Sequence, residues 1–220
     1  MFIGLNRKPK LWGAVSAVVA ISAGVAVWQL WPSDAPAVSV PARVCTKSLP
    51  ADSVSQLLPK NGKRYYEYIN GDAGFGAPHR PEEPSPSCNF SGGGRWVSVE
   101  YNRVFNAKSL GVWSADEARR KVEKGSSIQG SVPVSLGQSY GYAREHDAVL
   151  LLNCRDRDMA GVIEVTVRDE GDFASNESDA KAFAELAADV MRLARKKVYQ
   201  CDEGATLPSG PPTLGAPKGD

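Results

Sequence analysis

Histidine and closely spaced cysteine are scarce in this chain, and no sign of charge dominates it. Its 220 residues include two histidines, His79 and His146, so a zinc centre would have to recruit distant carboxylates. No pair of its four cysteines has the two-to-four-residue spacing of zinc ligands. Glycine lacks the every-third-residue period of a collagen-like fibre, and there is no internal repeat. With 26 Lys+Arg against 25 Asp+Glu the formal charge is +1, which supplies no field of the kind that draws a protein onto nucleic acid. These absences predict no metal, no cofactor and no nucleic-acid partner. What is present is 42% hydrophobic and 23% charged residues, enough for one packed domain with unstructured ends.

Leu11 to Trp31 carries no charge. As a helix rising about 1.5 Å per residue it would reach about 31 Å, the thickness of a bilayer's hydrocarbon core. Arg7, Lys8 and Lys10 precede it without an acidic residue, which keeps residues 1–10 in the cytoplasm and sends the rest outside. Trp12 stands at one end of the run and Trp28 and Trp31 at the other, at the two headgroup levels their rings prefer. Pro32 ends the helix. The alternative is a secreted protein cleaved at a signal-peptidase site near Ala37, since Ala35-Pro36-Ala37 has the small-x-small form. The apolar run exceeds the usual signal-peptide core of about 7 to 15 residues, which favours a retained single-pass anchor. Arg43 and Val44 before Cys45 argue against a lipoprotein.

Beyond the anchor, 32–43 has the proline and alanine of a semi-rigid linker, and 204–220 the glycine and proline of a disordered tail. The folded domain is therefore expected at 44–203. Within it Ala51 to Leu58 reads as a short helix and Arg64 to Ile69 as a strand. Gly71 to Gly94 reads as one long loop, and Val97, Val99, Tyr101 and Phe105 mark the buried side of the next strand. Ser114 with Glu117 is a capping box opening a helix that Gly125 would stop in left-handed conformation. Strands follow at Val132 to Leu136, Ser139 to Arg144, Ala148 to Cys154 and Gly161 to Arg168, with turns short enough to make neighbours antiparallel. Ser178 to Tyr199 repeats apolar residues at helical spacing. The expected fold is α+β: an antiparallel sheet with the long C-terminal helix on one face, a two-layer sandwich.

Cys45, Cys88, Cys154 and Cys201 form an even set in a domain placed in an oxidising compartment, so two disulfides are expected. Three pairings are possible. We favour Cys45 with Cys88, tying the domain's entry and the long loop to the sheet, and Cys154 with Cys201, clamping the last helix to a central strand.

The sharpest catalytic match is Gly137-Gln138-Ser139-Tyr140-Gly141, the G-x-S-x-G elbow of an extracytoplasmic serine hydrolase. Its context is wrong, because strand follows where the elbow needs a helix, and His146 lies in an adjacent hairpin turn. A glycine-bounded turn is the better reading, and the chain is expected not to be an enzyme. The long loop, with Phe75, His79 and Arg80, is the candidate interaction surface, because loops on a rigid scaffold carry recognition.

Val44-Cys45, Leu57-Leu58-Pro59, Cys88-Asn89-Phe90, Val97 to Asn102, Cys154 in a strand, and Ala184-Glu185-Leu186-Ala187 ahead of Cys201 come in an order that resembles exported, membrane-anchored or lipid-anchored actinobacterial domains of unknown function. The resemblance rests on scaffold features over about 44–203 and brings no catalytic residue. It implies a bacterial cell-envelope protein, anchored in the membrane by its N-terminal helix and partnered by an envelope protein or other envelope component.

Overall fold

Alternation of side chains along the strands decides which residues meet. The computed structural model describes residues 35–71, 74–78, 86–105, 114–156, 159–171, 177–201 and 206–217. The elements run β1 (Arg43–Val44), β2 (Leu49–Pro50), α1 (Asp52–Leu57), β3 (Tyr66–Asn70), β4 (Ser87–Gly92) and β5 (Arg95–Phe105). They continue with α2 (Ala115–Ser126), β6 (Val132–Leu136), β7 (Ser139–Ala143), β8 (Asp147–Asp156), β9 (Met159–Asp169), α3 (Glu177–Leu193) and β10 (Thr213–Leu214). β1 and β2 form a ribbon of their own; the other eight make one antiparallel sheet in the order β10-β6-β7-β8-β9-β5-β4-β3. Two meanders, β3-β4-β5 and β6-β7-β8-β9, meet where β5 pairs with β9.

The expected α+β architecture holds: α3 lies on the sheet and buries Phe183, Leu186, Ala187, Val190 and Met191 against Val97, Val99, Ile163, Val165, Leu150 and Leu152. α1 packs on α3 in turn, with Val54 and Leu57 buried and Ser53 Oγ 3.2 Å from Asp189 Oδ2. The opposite sheet face is not bare, as a two-layer sandwich would have it. There α2 buries Ala115, Ala118 and Val122 against Tyr142, Val149, Leu151 and Val162. Its capping box forms, Ser114 Oγ accepting from Glu117 N–H and Glu117 accepting from Ser114 N–H.

Both favoured disulfides are present, Cys45–Cys88 and Cys154–Cys201. Each closes a loop of 43 or 47 residues. That contributes about 3 to 4 kcal/mol by restricting the unfolded chain. The ion-pair centre of the fold is Arg95, 3% exposed, whose Nε donates to Asp169 at 2.7 Å and whose Nη1 donates to Asp179 at 2.9 Å and Leu57 O at 3.0 Å. Its guanidinium also lies 5.3 Å from the Phe183 ring centroid. One side chain thus joins β5, β9, α3 and the end of α1.

Several boundaries differ from the expectation. The domain starts before residue 44: Gly62 N–H donates to Pro36 O at 2.9 Å, Val38 N–H donates to Lys60 O at 2.8 Å, and Val38 and Val40 pack on the core, so the end of the supposed linker is domain. The Gly71 to Gly94 loop contains β4, whose buried side is only Cys88 and Phe90 among Ser, Asn and Gly. Gly125 does not stop α2 in left-handed conformation. It lies within the helix, where a Cβ would stand 2.0 Å from Tyr142 Cε1, so glycine permits close packing. The expected disordered tail is ordered over 206–217. Thr213 and Leu214 pair with Ser135 and Val134, Gly215 N–H donates to Pro133 O at 2.8 Å, and Arg192 holds the carbonyls of Pro208 and Gly210. The basic tail 1–10 and the Leu11 to Trp31 run lie outside the described residues. Among the described residues no helix is long and apolar enough to cross a membrane.

Candidate functional site

Strand parity sends Glu67, Ile69, Cys88, Phe90, Val97 and Val99 to the α3 side and their neighbours to the α2 side. Two regions of the α2 side lie beside the helix. The first is a cleft of about 540 Å³ between the end of α2 and the β7–β8 turn, lined by Lys121, Ile128, Tyr142, Arg144, His146, Asp147, Thr166 and Arg168. Two of its cations are matched by carboxylates. Arg144 forks onto Asp147 at 2.6 and 2.7 Å, and Lys121 pairs with Glu164. The Arg144 guanidinium lies 5.2 Å from the Tyr142 ring centroid, and Tyr142 OH donates to Asp147 at 3.2 Å. Burial, followed by the negative charge of Asp147, pushes the Tyr142 hydroxyl up to about 12. The hydrogen bond to Asp147 raises Arg144 above its ordinary value.

The second region is an aromatic strip. Tyr66 is 57% exposed, Tyr68 51% and Trp96 41%. Tyr66 pairs with Ser91 and Ser91 with Trp96, so the three residues form one row across β3, β4 and β5. Tyr68 pairs with Asn89, and Asn70 with Ser87, in the next two rows. Every outward position of β3 and β4 in these pairs is therefore aromatic or neutral polar.

The residues singled out in sequence fare differently. Phe75 is not presented to a partner: it is 2% exposed, its ring 4.9 Å from that of Tyr101, and its carbonyl accepts from Thr46 Oγ1 at 3.0 Å and Ser48 Oγ at 2.7 Å. Gly76 N–H donates to Tyr101 OH at 2.9 Å, so this part of the loop is core; burial raises the Tyr101 hydroxyl above its ordinary value. An aromatic among glycines is a legitimate core residue, and the loop's composition concealed that. His79 and Arg80 lie outside the described residues.

Ser139 does not sit on a nucleophile elbow. Gly137 at φ 59° and Gln138 make a two-residue hairpin turn, β7 follows, and Ser139 is 1% exposed. His146 is in the turn at the far end of β7, about 13 Å along the strand. The strip escaped the sequence reading, because Tyr66 and Tyr68 mark a strand without saying which face they take. Their i, i+2 spacing was the signal available.

Among the described residues one group of three, Cys45, Glu67 and Cys88, has the closeness of metal ligands, but the sulfurs are joined to each other. The Glu67 carboxylate accepts from Cys45 N–H at 2.7 Å, Thr46 N–H at 2.9 Å and Tyr65 OH at 2.9 Å. It cradles a turn in which Cys45, Thr46 and Lys47 all have positive φ, 54°, 56° and 63°. Each such residue costs about 1 to 2 kcal/mol, so the carboxylate and the disulfide are its supports.

The fold and its surfaces define a disulfide-stapled α+β domain whose sheet leaves an aromatic strip open to solvent. Compared with protein-family models, with curated proteins and with solved structures, the chain matches none.

Proposed function

We propose that this chain is a single-pass bacterial membrane protein that holds the domain outside the cytoplasm and binds an envelope component there without catalysis. The observation that carries binding is the joint exposure of Tyr66, Tyr68 and Trp96 on one sheet face. Exposed aromatics grouped on a rigid scaffold mark interaction sites. The two disulfides support an oxidising compartment. The uncharged run Leu11 to Trp31 and the bases Arg7, Lys8 and Lys10 support the anchor and its orientation, and the resemblance to exported actinobacterial domains supports the host. The hydrogen bond to Pro36 O and the Ala37–Asn61 bridge build the candidate cleavage site into the domain, which favours retention of the anchor.

The test is protease treatment of intact cells expressing the full chain, with thiol alkylation before lysis. Digestion of the domain with no free thiol is expected. A protected domain, or four alkylated cysteines, would overturn the placement. For binding, co-sedimentation of the detergent-solubilised full-length chain with membrane-free, detergent-washed envelope fractions should fall when Tyr68 and Trp96 are both replaced by alanine. Undiminished co-sedimentation of that variant would reject the strip.

A further inference from the structure

We propose that the strip is a stacking platform for an uncharged polysaccharide segment; this names the ligand class of the binding site above and rests on that reading. Tyr66 and Tyr68 project from one face of β3 about 6.7 Å apart, and Trp96 stands two strands from Tyr66, about 9.6 Å away. Those spacings are on the scale of one to two pyranose rings, whose axial C–H faces stack on aromatic rings. Beside the aromatics lie Ser91, Asn89 and Asn70, half-buried or exposed, whose hydroxyl and amide groups both donate and accept hydrogen bonds. Sugar hydroxyls require that double capacity.

Charge selects among polymers. None of these six side chains is ionised at neutral pH. The charged groups that share the strip's rows stand further along the sheet, Glu100 on β5 beside Ser87 and Arg168 on β9 beside Ser98, and at the cleft Arg144 and Asp147, and Lys121 and Glu164, satisfy one another. A polyanion or an anionic lipid surface therefore finds no cation among these six side chains, while a neutral chain laid over them meets no charge it must desolvate. The strip lies along the edge strand β3, so a long polymer can run past it without ends having to fit.

Native affinity electrophoresis of the full-length chain in detergent tests this, using a soluble β-1,4-glucan, a mannan, an arabinogalactan and the polyanion hyaluronan as gel additives. At least one neutral glycan should retard the wild type, about tenfold more weakly for Tyr68→Ala and Trp96→Ala, with Trp96→Phe retaining most of the effect; hyaluronan should not. Thermal unfolding by circular dichroism verifies that each variant is folded, and Trp96→Phe separates loss of the ring from loss of fold. Retardation by none of the neutral glycans, equal retardation of wild type and Trp96→Ala, or retardation by hyaluronan alone would overturn the proposal. Envelope fractions stripped of glycan distinguish the two readings. If they still capture the wild type and not Tyr68→Ala, binding at the strip stands, the partner is a protein, and the glycan assignment falls; if the variants lose nothing in either assay, both fall.

Discussion

Arg95 and Trp96 are neighbours on β5, and they belong to different worlds. Arg95 points to the α3 side and is locked between Asp169 and Asp179, where its removal leaves two carboxylates buried without their cation. Trp96 points to the α2 side and meets solvent. Among the described residues the same holds across the sheet: one face is closed by α3, on which α1 packs, while on the other the one helix is α2. Stability is concentrated on the closed face, which leaves the strip of β3 to β5 free to vary in chemistry without endangering the fold.

Substitutions can break that contrast. Arg95→Met should cost about 3 to 5 kcal/mol in urea unfolding, because a buried pair that loses one partner strands the other's charge. A loss under about 1 kcal/mol would mean the two aspartates are not desolvated as described. Replacing Cys154 and Cys201 together by serine should cost about 3 to 4 kcal/mol under oxidising conditions, and nothing relative to wild type once both are reduced. On the α2 side the effects shrink. Gly125→Ala should destabilise by about 1 to 2 kcal/mol despite alanine's better helix propensity, because the Tyr142 ring is pinned by Asp147 and cannot yield. Stabilisation would show that the ring moves.

Ser114→Ala should cost about 1 kcal/mol at neutral pH. The Ser114 backbone and side chain hold the Glu117 carboxyl below its ordinary value. A depressed value means the contribution is complete above the unfolded pKa and is lost as pH falls through the folded one. The deficit of Glu117→Gln against wild type should therefore close as pH drops below about 4. A deficit independent of pH would deny the carboxylate its part in the cap. Smallest of all, Tyr68→Ala should leave stability within about 0.5 kcal/mol, as expected for an exposed site.

How much of this was legible in the sequence follows from the same division. Where one face is deeply buried, alternation betrays the element: Val97, Val99 and Tyr101 mark β5, and Phe183, Leu186, Ala187 and Val190 mark α3. The favoured cysteine pairing followed from what each bond would tie, the entry and the long loop to the sheet and the last helix to a central strand, and both bonds are present. β4 was not legible, since its outward side is serine and asparagine and its inward side has only two bulky groups. The role of Arg95 was not legible either, because a buried ion pair needs partners 74 and 84 residues away, which no local window contains. The ordered tail escaped for the opposite reason: its ties run through its own backbone groups to β6 and Arg192, and backbone groups carry no compositional signal.

The left-handed passage at Cys45, Thr46 and Lys47 bears on how the domain's entry is fastened. An unsupported chain avoids that conformation, and its two supports, the Glu67 carboxylate on β3 and the disulfide to Cys88 on β4, both come from one hairpin. The bond to Cys88 and the Glu67 carboxylate thus hold the same passage from adjacent strands. The domain's N-terminal entry is therefore fastened at the β3–β4 side of the sheet, the end opposite β10, where the C-terminal segment is tied down.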